Sequence, residues 1–105
     1  MENIKSMLDA EYENALKKKT YYENALAQLP KGVIIKKTIK GRIYYYLLYR
    51  DRGKVRFDYK GASLPTEEIK RYDEAKILRD EYKKLLASIK ARIRYLSKLL
   101  RHKEV

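Results

Sequence analysis

The sequence predicts an α+β fold: a long antiparallel helical hairpin of coiled-coil character, capped by a three-stranded antiparallel β-meander. Two observations lead there. Apolar residues recur at steps of three and four over 2–29 and again over 65–103, the spacing of one helix face. Between these stretches, 33–60 is rich in β-branched and aromatic residues. It is cut by two glycines, each followed by a basic residue, in 38-TIKGR-42 and 50-RDRGK-54. A chain of 105 residues is expected to form one domain.

In the first helix Met1, Leu8, Ala15, Tyr22 and Leu29 keep a step of seven, the seam of a coiled coil. Pro30 and Gly32 end it. Pro65 suits the start of the second helix, where Glu67 and Glu68 complement the helix dipole. Its stripe runs through Ile69, Tyr72, Ala75, Leu78, Tyr82, Leu85, Leu86, Ile89, Ile93, Leu96, Leu99 and Leu100. Neither stripe can be hidden alone, so the helices are expected to pair antiparallel. Charge supports that pairing. Residues 1–16 hold Glu2, Asp9, Glu11 and Glu13 against Lys5, and 83–105 hold eight Lys or Arg against one acid. The second helix outlasts the first, about 58 Å against about 42 Å at 1.5 Å per residue. Ile93, Leu96, Leu99 and Leu100 are therefore expected to overhang and to seat a second copy of the chain as a homodimer.

In the meander, a glycine after a turn residue fits a type I turn closed by a bulge. That register sets Tyr49 opposite Val55, Leu47 opposite Phe57, Ile35 opposite Tyr45 and Val33 opposite Leu47. One face then collects Val33, Ile35, Ile43, Tyr45, Leu47, Tyr49, Val55, Phe57 and Tyr59 as a core. The other collects Ile34, Lys36, Thr38, Arg42, Tyr44, Tyr46, Leu48, Arg50, Lys54, Arg56, Asp58 and Lys60 toward solvent.

Charge speaks to function. Lys and Arg number 26 against 14 acids, a net charge of +12, which suits a polyanionic partner. Residues 30–63 alone hold ten bases and two acids, with no helical counterweight. The expected interface is the outward sheet face. There Lys36, Arg42, Arg50, Lys54, Arg56 and Lys60 would neutralise phosphates, and Tyr44 and Tyr46 would stack on or position nucleic acid, DNA first. Tyrosine is also a good strand former on a solvated sheet, so the pattern has a purely structural reading too. The rival function is a protein-binding adaptor or phage-type inhibitor using the same face or the helical overhang.

Other classes find little support. With no cysteine and a single histidine, His102, a disulfide framework is excluded and transition-metal ligation has almost nothing to use. No catalytic residue, metal or cofactor is expected, and the chain reads as a non-enzyme. Gly53-Lys54 lacks the GxxxxGK[ST] spacing of a phosphate-binding loop. Adjacent acids such as Glu67/Glu68 and Asp80/Glu81 do not face each other on a helix. No apolar run approaches the ~18 residues of a membrane span. The acidic start MENIKSMLDAEYE is not a signal peptide, so no membrane partner and a cytoplasmic location are expected.

The run 29-LPKGVIIKKTIKGRIYYYLLYRDRGKVRFDYKG-61 resembles a family of small proteins of bacteria, archaea and their phages. These share a helix ending LP-K-G, a GR-x-YYYL-x-YR core, a GKV turn and a Y-x-G close before a second helix. Here the matching residues are Leu29 to Gly32, Gly41 to Leu47, Tyr49 and Arg50, Gly53 to Val55, and Tyr59 with Gly61. The resemblance implies the helix–meander–helix architecture and brings no activity with it. The hairpin alone is also similar to the arm-type DNA-binding sheets of phage integrases, which implies DNA as a partner by analogy.

Overall fold

Asn3 opens the first helix: its side-chain Oδ1 accepts the Ser6 amide at 2.8 Å and its carbonyl accepts that of Met7 at 3.2 Å. The structure, a computed structural model, describes residues 3–103, with the backbone alone at 102 and 103. Met1 and Glu2, and the side chain of His102, lie outside what is described. The element order is α1 (Ile4–Gln28), β1 (Val33–Ile39), β2 (Arg42–Asp51), β3 (Lys54–Gly61) and α2 (Thr66–Lys103). It is the expected α+β architecture of a helical hairpin and a β-meander.

The chain divides into two compact units, 1–28 with 81–105, and 29–80. In the helical unit, Leu8, Ala15 and Tyr22 of the seam are buried or half-buried, Ala15 most fully. The helices run antiparallel. Glu11 pairs with Arg92, and the rings of Tyr22 and Tyr82 meet at 5.4 Å, so a step of eleven along α1 matches a step of ten back along α2. The expected charge complementarity thus appears in the Glu11–Arg92 ion pair. The same stagger brings the start of α1 level with Leu99 and Leu100.

That placement corrects the overhang. Leu96 and Leu100 are 5% and 9% exposed within the single chain. Only Ile93 and Leu99 remain half-exposed of the four leucines and isoleucines expected to seat a second copy. The excess length of α2 is spent at its other end, since residues 66–80 belong to the sheet unit.

In the sheet unit the strand order is β1-β2-β3, antiparallel throughout. The expected bulged turns are not found. Ile39 pairs with Arg42, and Asp51 with Lys54, leaving two-residue loops Lys40-Gly41 and Arg52-Gly53. Both residues of each loop have positive φ, 50° and 78° in the first, 52° and 79° in the second. That is the type I′ geometry, whose twist matches that of the flanking strands. The gain in twist outweighs the ~1–2 kcal/mol that a left-handed Lys or Arg costs. A bulge does occur, but at Lys60, where Tyr46 faces Tyr59 and Tyr45 faces Gly61.

A one-residue change of register moves a whole strand to the opposite face. Face A therefore gathers Arg42, Tyr44, Tyr46, Leu48 and Arg50 of β2 with Val33, Ile35, Lys37 and Ile39 of β1 and Val55, Phe57 and Tyr59 of β3. Face B gathers Ile43, Tyr45, Leu47, Tyr49 and Asp51 with Ile34, Lys36, Thr38, Lys54, Arg56 and Asp58. The expected sorting into an apolar face and a polar face is replaced by two mixed ones.

Face B holds Leu47, the buried residue of the sheet at 9% exposed, with Ile34, Tyr45 and Tyr49 half-buried around it and Ile43 exposed. On face A Val33, Ile35, Tyr44, Tyr46 and Leu48 are half-buried. The corner before β1 closes on Leu47. A Cβ at Gly32 would lie 2.6 Å from the Leu48 carbonyl oxygen and 2.9 Å from Leu47 Cδ1, and φ there is +96°. Only glycine fits that approach. The corner is held by Arg79 of α2, whose Nη2 donates to the Pro30 carbonyl at 2.7 Å and the Gly32 carbonyl at 3.4 Å.

Candidate nucleic-acid interface

Face A presents four rings: Tyr44, Tyr46, Phe57 and Tyr59. They adjoin because Tyr46 and Tyr59 are directly paired, while Tyr44 and Phe57 lie two residues away along their strands. Tyr46 and Tyr59 have centroids 5.5 Å apart at 55°, and Tyr44 and Tyr59 6.2 Å at 51°. Tyr59 is 57% exposed and Phe57 51%, so this is not a core. With Ile39, the three tyrosines line an open depression of about 280 Å³.

Cations frame the rings. Lys37 lies across them, its Nζ 5.0 Å from the Tyr46 ring and 4.6 Å from that of Phe57. Such a contact stabilises the ammonium by roughly 0.5–1 kcal/mol at an exposed site and holds its stem flat on the sheet. Arg42 and Arg50 stand exposed on the same face, eight residues apart on β2, about 27 Å at ~3.4 Å per residue. The loop cations Lys40 and Arg52 extend the positive row beyond each end. Among the described residues, face A carries no acid.

Face B differs in its charges. Lys36, Lys54 and Arg56 share it with Asp51 and Asp58. Arg56 Nε meets Asp51 Oδ2 at 3.2 Å, and both side chains are about half exposed, so the pair is worth little to stability but ties the charge down. Partial burial of Tyr49, then the negative charge of the nearby Asp58 carboxylate, raise its pKa above the ordinary tyrosine value.

The eight expected interface residues are therefore divided. Arg42, Tyr44, Tyr46 and Arg50 are together on face A. Lys36, Lys54 and Arg56 are on face B, and Lys60 is the extra residue of the bulge. Lys37, Phe57 and Tyr59 join the candidate site without having been expected there, because β1 and β3 are reversed relative to the expected register. Arg79 was also unexpected. It continues the step of seven through Tyr72, Leu86, Ile93 and Leu100, a charged residue at a position where the stripe is otherwise apolar. That exception was visible in the sequence.

No group of His, Cys, Asp or Glu among the described residues could hold a metal ion, and none of the described helices is long and apolar enough to cross a membrane. No protein-family model, curated protein or solved structure matches the chain.

Proposed function

We propose that this chain is a small cytoplasmic nucleic-acid-binding protein, with DNA as the first partner to test, acting without catalysis through face A of its sheet. The observation that carries the reading is the coincidence on one open face of four rings, Lys37, Arg42 and Arg50, with no acid among the described residues. Guanidinium and ammonium groups neutralise phosphates, and tyrosine offers both a stacking surface and a hydroxyl donor. The net charge of +12 adds long-range attraction to any polyanion.

The test is binding of a labelled DNA fragment by fluorescence anisotropy across a salt series. Three phosphate contacts give a slope of log K against log salt of about −2 to −3. A flat salt dependence, or no binding at low salt, overturns the reading.

A second reading keeps its place because of Ile39, Val55 and Phe57, each about half exposed on face A. Apolar groups of that kind suit a protein partner. An adaptor or phage-type inhibitor would dock there with weak salt dependence, so the same series separates the two. Self-association through Ile93 and Leu99 is a further element of the proposal, read from the sedimentation of the protein with and without Leu99→Glu.

A further inference from the structure

Resting on the nucleic-acid reading, we infer that face A is built for single-stranded rather than duplex nucleic acid, with bases stacked on Tyr44 and Tyr59. A strand ribbon that reads a duplex groove needs hydrogen-bonding side chains along its protruding face, because base edges offer donors and acceptors. Face A has guanidinium groups only at the two ends of its β2 row, Arg42 and Arg50; the positions between them are Tyr44, Tyr46 and Leu48. No Asn, Gln, Ser or Thr stands on the face among its described residues, so its middle offers rings more than base-edge readers. The π-faces of a base are hidden in a duplex and open in a single strand.

The geometry of the rings fits that substrate. Tyr59 is more than half exposed and tilted by 51–55° to both tyrosine neighbours, so it is not stacked face to face on either and has surface to offer a base. The depression of about 280 Å³ between Ile39, Tyr44, Tyr46 and Tyr59 is open and apolar-walled, a seat for one planar base. Lys37 crosses the rings at their centre, and Arg42 and Arg50 stand at the two ends. A strand laid along β2 thus meets phosphate partners before, beside and after its stacked bases. Lys37 is held by the rings themselves, so the cation and the stacking surface are ordered together.

The experiment compares anisotropy titrations with oligothymidylate, oligouridylate and a dT·dA duplex, each of about 20 nucleotides per strand, at one salt concentration. The expected result is single-strand binding at least about tenfold tighter than duplex binding. Tyr59→Ala is expected to weaken single-strand binding by roughly 5- to 100-fold, with duplex binding and the circular dichroism melt unchanged. Tyr59→Phe, which keeps the ring, is expected to bind as the parent does. Equal binding of the two single strands, or a preference for either one, supports the inference, and a preference tells DNA from RNA. Duplex binding as tight as single-strand binding, or a Tyr59→Ala variant that binds normally, overturns the inference and leaves the nucleic-acid reading standing. No binding of any of the three at low salt removes the nucleic-acid reading itself. A Tyr59→Phe variant as weak as Tyr59→Ala shows that the hydroxyl acts instead of the ring, and it too overturns stacking.

Discussion

The two faces of the sheet draw on the same ten-residue strand, and alternate residues of β2 send its side chains to opposite sides. Face B keeps Leu47 buried, the Gly32 corner closed over it, Arg56 paired with Asp51, and a second acid, Asp58, among its cations. Face A leaves Phe57 and Tyr59 exposed, with Tyr44 and Tyr46 half-buried beside them, and carries no acid among the described residues. Both are mixed in polarity. What separates them is the buried Leu47 on one side and the presence of acids among the cations, and hydropathy alone does not tell the two faces apart.

The largest expected effect follows from that difference in cover. Leu47→Ala removes a buried side chain from face B and is expected to cost about 2–4 kcal/mol in a urea melt. Phe57→Ala, on face A, is expected to stay within about 1 kcal/mol of the parent. If the two substitutions cost the same, face A is packed and the distinction fails. Next comes charge. Reversing Arg42 and Arg50 together is expected to weaken binding of a single-stranded oligonucleotide by roughly 100-fold at low salt, and reversing Lys54 and Arg56 by less than about tenfold. The order reversed would move the interface to face B.

The elements were legible in the sequence because they rest on local rules. A step of seven, prolines at helix ends and glycines between strand-forming runs fix α1, β1–β3 and α2 to within a residue or two. Register was not legible. Lys-Gly and Arg-Gly fit a bulged turn and a type I′ loop alike, and the choice between them came from sorting residues by polarity. That criterion fails on a sheet with Phe57 and Val55 exposed. Two interface tyrosines and two arginines survived because they share β2 and therefore share a face under any register. Their companions on β1 and β3 did not. Arg79 escaped because its role is hydrogen bonding to backbone carbonyls 47 and 49 residues away, which no local pattern encodes.

Smaller effects sharpen the register itself. Lys40→Asn and Arg52→Asn place a residue that tolerates left-handed backbone where type I′ loops need one, and each is expected to stabilise by about 0.5–1 kcal/mol, read as a higher melting temperature. A bulged turn at either site would give no gain. The smallest effect concerns Tyr49. Its folded pKa lies above the unfolded value, so the folded state holds the proton longer and stability falls as pH rises through the ordinary value of 10.0. Tyr49→Phe is expected to lose less stability than the parent between pH 9 and 11 in matched melts. An identical loss would mean that Asp58 does not act on the phenol.

The strand order β1-β2-β3 leaves the outer rims of β1 and β3 without a hydrogen-bonded neighbour among the described residues. Such rims invite edge-to-edge zipping between molecules, and lysines along them are a common deterrent. Here Lys36 and Lys37 occupy one rim, and Lys54 and Lys60 the other. The positive charge proposed to draw a polyanion would thus also discourage edge-to-edge pairing between copies of the chain. Variants that neutralise several of these lysines at once are expected to aggregate, and light scattering should be clean before any drop in their affinity is taken as a lost phosphate contact.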